Sequence, residues 1–472
     1  MLAHNVLFDD ERYRKLINAW LSRNASYVEC RVESAFSLSI TIRDGKIKEF
    51  VSGYDSGVAL RAVMGGKVYF ISYSINEVSE DVVYKEKAIT SRAWMEDVVL
   101  KEATPMKDKV VIDQKVPLSS KPVDEKIALL KRGNEACFNE NVKTAESTYV
   151  ERIVEKRLIT SEGTDIYMKI PYVYIRHEVT AKLNDKINEG SARYGGIGGF
   201  EVLSEDAVVS SGELAKARAV EGLIAKKCPS GKFKVVLDGD LNHLFAHEAV
   251  GHASEADSVY IGSLLKGKLG KRVASECVNL VDDGRFELNG VKGFGWIPYD
   301  DEGVPTEKTL VIERGILKQY LTDRITAAKF DLKLTGNARA QNYQFPPIVR
   351  MRNTYIEASD AKDAMRNEEM ISEVRNGLLL KGGRGGQVDD IRGTFTFGVQ
   401  EVYEIKNGEV GQRLSSTSIS GNFLAVLKGI LAVGKEFDRP EPSVGFCGKS
   451  MQLVPVGVAG PWLLVKELLV GG

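Results

Sequence analysis

The segment His247-Glu248-Ala-Val-Gly251-His252 constrains the local fold more than any other stretch, because its two histidines are five residues apart. In a regular α-helix each residue turns by about 100°, so these imidazoles diverge by about 140° and cannot share one ion. They converge only if the helix is broken or widened between them. Gly251 offers one route, ending the helix in the left-handed conformation and folding His252 back toward His247. A π-bulge is the other. Asp240 is placed to cap a helix beginning at Leu241, and Leu241, Leu244, Phe245 and Val250 supply an apolar face, so the segment is expected to be buried.

Three of the five histidines of the chain, His243, His247 and His252, fall in this short run. His243 and His247 are four apart and share a helix face, which makes them a rival ligand pair, but no Glu follows His243 directly. A capped core helix whose imidazoles only form hydrogen bonds is the bland alternative. The His-Glu pair with a further His on one buried segment favours metal chemistry, with the imidazoles as ligands and Glu248 as proton carrier. A catalytic zinc takes three protein ligands, so a third must come from elsewhere in the chain. Cys447, flanked by Gly445 and Gly448, is a candidate, and spacing alone does not separate it from Cys277 or from a buried inert thiol.

At 472 residues the chain has room for two or three domains, and 43% hydrophobic with 27% charged residues is ordinary for a globular protein. Lys and Arg number 64 against 65 Asp and Glu, so no basic surface is expected and direct nucleic-acid binding is not anticipated. Five dispersed cysteines without a CxxC pair suit reduced thiols. With no signal peptide evident and no apolar run near the roughly 20 residues of a membrane span, the expectation is a cytoplasmic protein.

The pattern along the chain predicts an α+β fold in which N-terminal α+β units precede a large β-rich C-terminal domain carrying the metal-binding helix. Boundaries are expected at 1–100, at 101–230 for a middle region packed on the first, and at 231–472. Helical spacing marks 9–24, and alternation marks a strand at 36–42 before an Asp44-Gly45 hairpin. A second hairpin turns at Gly65-Gly66, a helix is expected near 77–95, and 96–122 reads as linker or surface strand. Long strands follow at 142–160 and 165–182, flanked by helices near 123–139 and 212–227, with the glycines at 195–199 breaking the pattern between. Phe233–Leu237 reads as a short buried strand. Asp283-Gly284, Arg314-Gly315 and Asn407-Gly408 are expected hairpin turns, and helices are expected near 323–330 and 360–376.

Taken together, the chain resembles the TldD/PmbA family, the modulators of DNA gyrase understood as zinc metallopeptidases. The likeness runs through Arg43-Asp-Gly-Lys46, Arg193-Tyr-Gly-Gly196, Gly198-Gly-Phe-Glu201 and the His247–His252 motif. It continues through Asp300-Asp-Glu-Gly303, Thr335-Gly-Asn337, Asn353-Thr-Tyr355, Gly385-Gly-Gln-Val-Asp389, Cys447-Gly-Lys449 and Gln452-Leu-Val-Pro-Val-Gly457. The resemblance implies Zn²⁺ held by His247, His252 and Cys447, with Glu248 as catalytic base. It also implies an active, TldD-type subunit that forms a homodimer, or a heterodimer with a motif-lacking TldE/PmbA-type paralogue, around a cavity reached by unfolded polypeptides. Two positions depart from the pattern: Trp462 stands where relatives often have His, and His243 where they are usually apolar.

The expected chemistry is hydrolysis of peptide bonds, Glu248 taking the proton of the attacking water and returning it to the leaving amine. Glu255 and Asp257 are candidates to accept from ligand imidazoles, and His243 is a further candidate beside the ligands. The glycine-rich stretch at 382–386 lacks the Gly-Lys-Ser/Thr of a phosphate loop and reads as a turn before a strand at 393–397. Its bare backbone at Gly385 and Gly386, with Gln387, is a candidate surface for an extended peptide to add as a strand. The competing function, from another class, is a non-catalytic binding protein that regulates a DNA topoisomerase or another partner.

Overall fold

A computed structural model describes residues 10–75, 89–91, 97–359, 364–439 and 441–471. Helix α1 (Asp10–Leu21) precedes three long antiparallel strands, β1 (Tyr27–Arg43), β2 (Lys46–Met64) and β3 (Lys67–Ser74), with a short β4 (Ile89–Ser91). The turns fall at Asp44-Gly45 and Gly65-Gly66, where both residues of the first pair and both glycines of the second have positive φ. That is the geometry a two-residue hairpin loop requires. The helix expected near 77–95 falls largely outside the described residues, and Ile89–Ser91 within it is a strand rather than helix.

Strand β5 (Lys107–Val111) follows, then α2 (Val123–Ala136), β6 (Val142–Thr160), β7 (Asp165–Leu183), β8 (Lys186–Ile197) and α3 (Glu205–Ile224). Inward and outward residues alternate through Tyr172–Ala181 of β7, as a sheet with two different faces demands. Strands of both stretches enter one sheet in the order β4-β3-β2-β1-β6-β7-β5, with β8 also on β7. The junction is the antiparallel pairing of β1 with β6 from Glu29↔Thr160 to Arg43↔Glu146. The glycines Gly195 and Gly196 do not break the pattern as expected; they lie inside β8, opposite Tyr174 and Val173. A side chain at Gly195 would meet the Val173 carbonyl at 2.3 Å, which accounts for the glycine. Helix α3 starts at Glu205, earlier than expected, capped by the Ser204 hydroxyl.

After α3 the chain builds a second sheet. Strand β9 (Gly231–Leu237) leads into helix α4 (Gly239–Leu244). Short strands and α5 (Arg324–Phe330) occupy the middle of the region, and α6 (Asn367–Val374) precedes β10 (Asn376–Asp389), β11 (Thr394–Lys406) and β12 (Thr417–Asn422). The chain ends with the hairpin β13 (Gly445–Lys449) and β14 (Gln452–Val456), then β15 (Pro461–Val470). Strand β9 pairs with β10 and β15, β15 with β12, β12 with β11, and β11 again with β10. The ring therefore closes. Val235, Leu237, Leu378, Leu380, Phe397 and Leu463 share one core cluster, while the alternating Val236, Leu379 and Leu464 join another with Trp462 and Met370.

The expected turn at 382–386 is instead part of β10, with an irregularity between Gly383 and Gly386 where it pairs with β11. Asp283-Gly284 is not a hairpin: the strand ending at Asp283 pairs with 308–313 on one side and 354–356 on the other. A buried ion-pair link joins the two sheets' regions, where Arg61 of β2 reaches both Glu29 and Glu302 at 2.7 Å.

Candidate metal centre

The histidine-bearing segment grows directly from the ring. Asp238, the residue after β9, caps α4 by accepting from the Leu241 amide at 2.9 Å, and its other oxygen accepts from Gly382 of β10 at 2.8 Å. Asp240 is therefore not the cap; its Oδ1 binds Ser443 at 2.5 Å and Arg439 at 2.7 Å, which ties the helix to the segment before β13. The Asn242 amide bonds Pro461 and both backbone groups of Ile356. Phe245 is 1% exposed, packs edge-on against Phe395 at 5.6 Å, and anchors the segment with about 2–3 kcal/mol of burial.

Helical backbone does not stop at Gly251. Phe245–Gly251 is a π-turn, and the amide of His252 bonds the carbonyl of His247. A turn widened by one residue sets position i+5 above i, as an α-turn does for i+4. Gly251 has φ −57°, so its glycine is explained by space and not by handedness: a Cβ there would lie 1.9 Å from Met351 Sδ. The rings of His247 and His252 stand 5.2 Å apart.

Cys447 on β13 meets them. One ligand atom each from His247, His252 and Cys447 lies within 4.8 Å of the others, and all three residues are buried. His243 is not in this group. Its Nδ1 lies 2.8 Å from the Thr354 carbonyl, and its ring is 5.6 Å from that of His247. Burial, with His247 beside it, lowers the His243 imidazole to about 4. Cys277 is elsewhere, its thiol against the Ile430 carbonyl.

Neither ring nitrogen of the buried His247 has a hydrogen-bond partner. Leaving both unpaired in the interior is costly unless they serve another bond. A tetrahedral ion with metal–sulfur near 2.3 Å and metal–nitrogen near 2.0 Å sets sulfur and nitrogen about 3.5 Å apart. Cys447 Sγ and His252 Nε2 are 3.5 Å apart. The donor set and the orphaned imidazole fit a zinc ion.

Around this cluster, Glu255 Oε2 accepts from His252 Nδ1 at 3.0 Å and from Lys449 at 2.9 Å. Asp257 takes Lys449 at 2.7 Å and not, as expected, an imidazole. Burial opposes the charge of Glu255, yet Lys449 and His252 hold its carboxyl at about 2. Burial likewise raises the Cys447 thiol, but His252 and His247 hold it well below its ordinary value. Glu248 keeps a quarter of its side chain exposed, with Oε2 3.8 Å from His252 Nε2. It faces a cleft of about 730 Å³ lined also by His243, His247, Gly385, Arg193 and Phe446. Gly386 and Gln387 do not line that cleft; they pair with Phe397 and Thr396 of β11.

Three groups escaped sequence reasoning. Arg350, fully buried, donates to the carbonyls of Cys447 and Gln452 and holds the β13–β14 hairpin. Lys449 was noted only within a motif, although it neutralises Glu255 and Asp257. Asp390 carries an unpartnered buried oxygen and is pushed up to about 6 by burial, with the charge of His252 opposing. None has a local signal stronger than its residue type.

Comparison with known proteins gives the family of the chain. The profile of the PmbA/TldA metallopeptidase C-terminal domain matches residues 230–472, that of the central domain 116–223, and that of domain 1 28–89. A metalloprotease of Methanocaldococcus jannaschii is 38% identical over 458 residues, spanning 95% of this chain and 97% of that protein. A zinc metalloprotease TldD homolog of Saccharolobus solfataricus is 30% identical over 458 residues, again spanning 95% and 97%. The crystal structure of TldE from Thermococcus kodakarensis has the same fold, with a TM-score of 0.69 at 17% identity over 97% of this chain and 99% of that one. The two sequence relatives are metalloproteases by name. The chain belongs to the PmbA/TldD metallopeptidase family.

Proposed function

We propose that this chain is a zinc-dependent peptidase that hydrolyses unfolded peptides. His247, His252 and Cys447 would hold the ion, and Glu248 would act as base. The observation that carries the reading is the buried His247 imidazole, unpartnered at both nitrogens and within coordination reach of a thiol and a second imidazole. A zinc ion held there supplies Lewis acidity toward water and a peptide carbonyl. Glu248, open to the cleft, takes the water proton at its carboxylate and delivers it to the departing amine. Glu255 fixes the His252 ring through Nδ1 and leaves Nε2 turned to Cys447. The exposed backbone at Gly385 offers main-chain groups to an extended substrate, with Gly386 and Gln387 holding that strand in the sheet. A TldE-like partner, or a second copy, is part of the proposal, as is the division at 1–100, 101–230 and 231–472.

No helix among the described residues is long and apolar enough to cross a membrane. The test is zinc analysis together with casein digestion by the parent chain and by Glu248→Gln. Both are expected to carry one zinc, only the parent to cleave, and chelator to abolish that cleavage. A parent chain that binds zinc yet cleaves nothing, alone or with a co-purifying homologue, would return the assignment to the regulatory binding protein.

A further inference from the structure

Six arginines line the cleft, and five of them are neutralised by carboxylates. Arg43 meets Glu146 at 2.5 Å, Arg218 meets Glu401 at 2.7 Å, Arg384 meets Glu189 at 2.9 Å and Arg439 meets Asp240 at 2.7 Å, while Arg176 pairs with Glu178. Arg193 is the exception among the described residues. Its one hydrogen bond runs from Nη1 to the Val444 carbonyl at 3.2 Å. Its cross-strand neighbour on β7 is Arg176, a second cation. The walls of the cleft and Arg176 together lower its pKa from the ordinary arginine value, with Tyr174 and Glu178 acting against them more weakly. A guanidinium still remains charged at neutral pH, and it presents a planar fork of donors that matches a carboxylate.

The anchor to Val444 matters. It fixes Arg193 to the backbone three residues before Cys447, and so holds the cation in a defined relation to the candidate metal centre. The rest of the fork is left for something that enters the cleft.

We propose that Arg193 is a carboxylate-binding subsite of the peptide cleft, gripping a carboxylate of the bound peptide and so setting which peptide bond lies at Glu248. The inference rests on the peptidase reading and names a substrate feature for it. A C-terminal carboxylate and a Glu or Asp side chain offer the same chemistry. A charge-assisted bidentate bond is stronger than a neutral one and geometrically selective.

The test is fluorescence-anisotropy binding of labelled peptides to the full-length chain carrying Glu248→Gln, which separates binding from turnover. Four versions of one peptide combine a C-terminal acid or amide with an internal Glu or Gln. One carboxylate is expected to tighten binding about tenfold, the size typical of a charge-assisted hydrogen-bond pair. Arg193→Gln in the same background is expected to erase that preference, and the arm in which it disappears identifies the carboxylate. Equal binding of all four peptides, or a preference that survives Arg193→Gln, overturns the subsite and leaves the peptidase reading standing. A chain that binds none of the four overturns both. A preference lost with Arg193→Gln in a protein whose parent form cleaves nothing keeps the subsite and removes the peptidase.

Discussion

The Glu255 carboxylate lies 3.0 Å from His252 Nδ1 and is held on the same oxygen by Lys449 at 2.9 Å. Through this oxygen a largely buried basic residue and a buried imidazole share one acceptor. Glu255→Gln keeps the shape and removes the charge, leaving Lys449 with the Asp257 carboxylate and the Val349 carbonyl. Loss of such an acceptor behind a ligand histidine typically weakens metal affinity by about 10- to 100-fold. Competition against a zinc chelator measures it directly, and unchanged affinity would show that Glu255 only neutralises Lys449.

Arg350 is the clamp on the other side of the centre. Replacing it with Met leaves the Cys447 and Gln452 carbonyls without their donor in the interior, at about 1–3 kcal/mol for each acceptor left unpaired. The expected result is a protein at least about 2 kcal/mol less stable in urea, with weaker zinc binding because the hairpin holding the thiol has loosened. A variant as stable as the parent would mean that water replaces the guanidinium.

Gly251→Ala probes the widened turn. A Cβ there is 1.9 Å from Met351 Sδ, in a region where Met351 is fully buried. Overpacking of this kind costs about 1–3 kcal/mol. Denaturant unfolding is expected to show that loss, and Met351→Ala introduced alongside is expected to recover part of it. If the single variant unfolds with the parent, the π-turn has room that the distance denies.

His177 gives a prediction remote from the metal. Its ring is fully buried between Ser147 and Cys137, and burial holds its imidazole at about 4 against an ordinary 6.5. The unfolded chain therefore takes up a proton first as pH falls. The stability that neutral His177 confers is complete above about pH 6.5 and is lost between there and about pH 4, amounting to about 3 kcal/mol. His177→Gln keeps a polar group beside Ser147 but cannot titrate. Its urea stability is expected to fall less steeply over that interval than the parent's, and parallel curves would contradict the assignment.

What the sequence made legible follows the range of the interactions. Turns at Asp44-Gly45 and Gly65-Gly66, the alternating strands and the helical faces are decided by neighbours, and they were readable. The convergence of His247 and His252 was readable as a requirement. Both routes to it, a stop at Gly251 and a π-bulge, were readable; the choice of the π-bulge was not, because the atom that forbids a side chain at Gly251 belongs to Met351. Cys447 lies 195 residues from His252, and residue spacing offered no choice between it and Cys277; resemblance did. The glycines at 382–386 look like a turn by composition, yet pairing of Leu378–Leu380 with β9 and of Gly386–Asp389 with β11 keeps them in a strand. Tertiary pairing won over local preference there.

The closed ring of strands has a consequence for how an ion would arrive. Leu237, at the end of β9, is paired with Leu463, near the start of β15, so the two chain segments that bear the imidazoles and the thiol spring from adjoining staves at one rim. If the proposed centre takes a metal, a cation coming from solution would meet fingers already set by the pairing of the two staves.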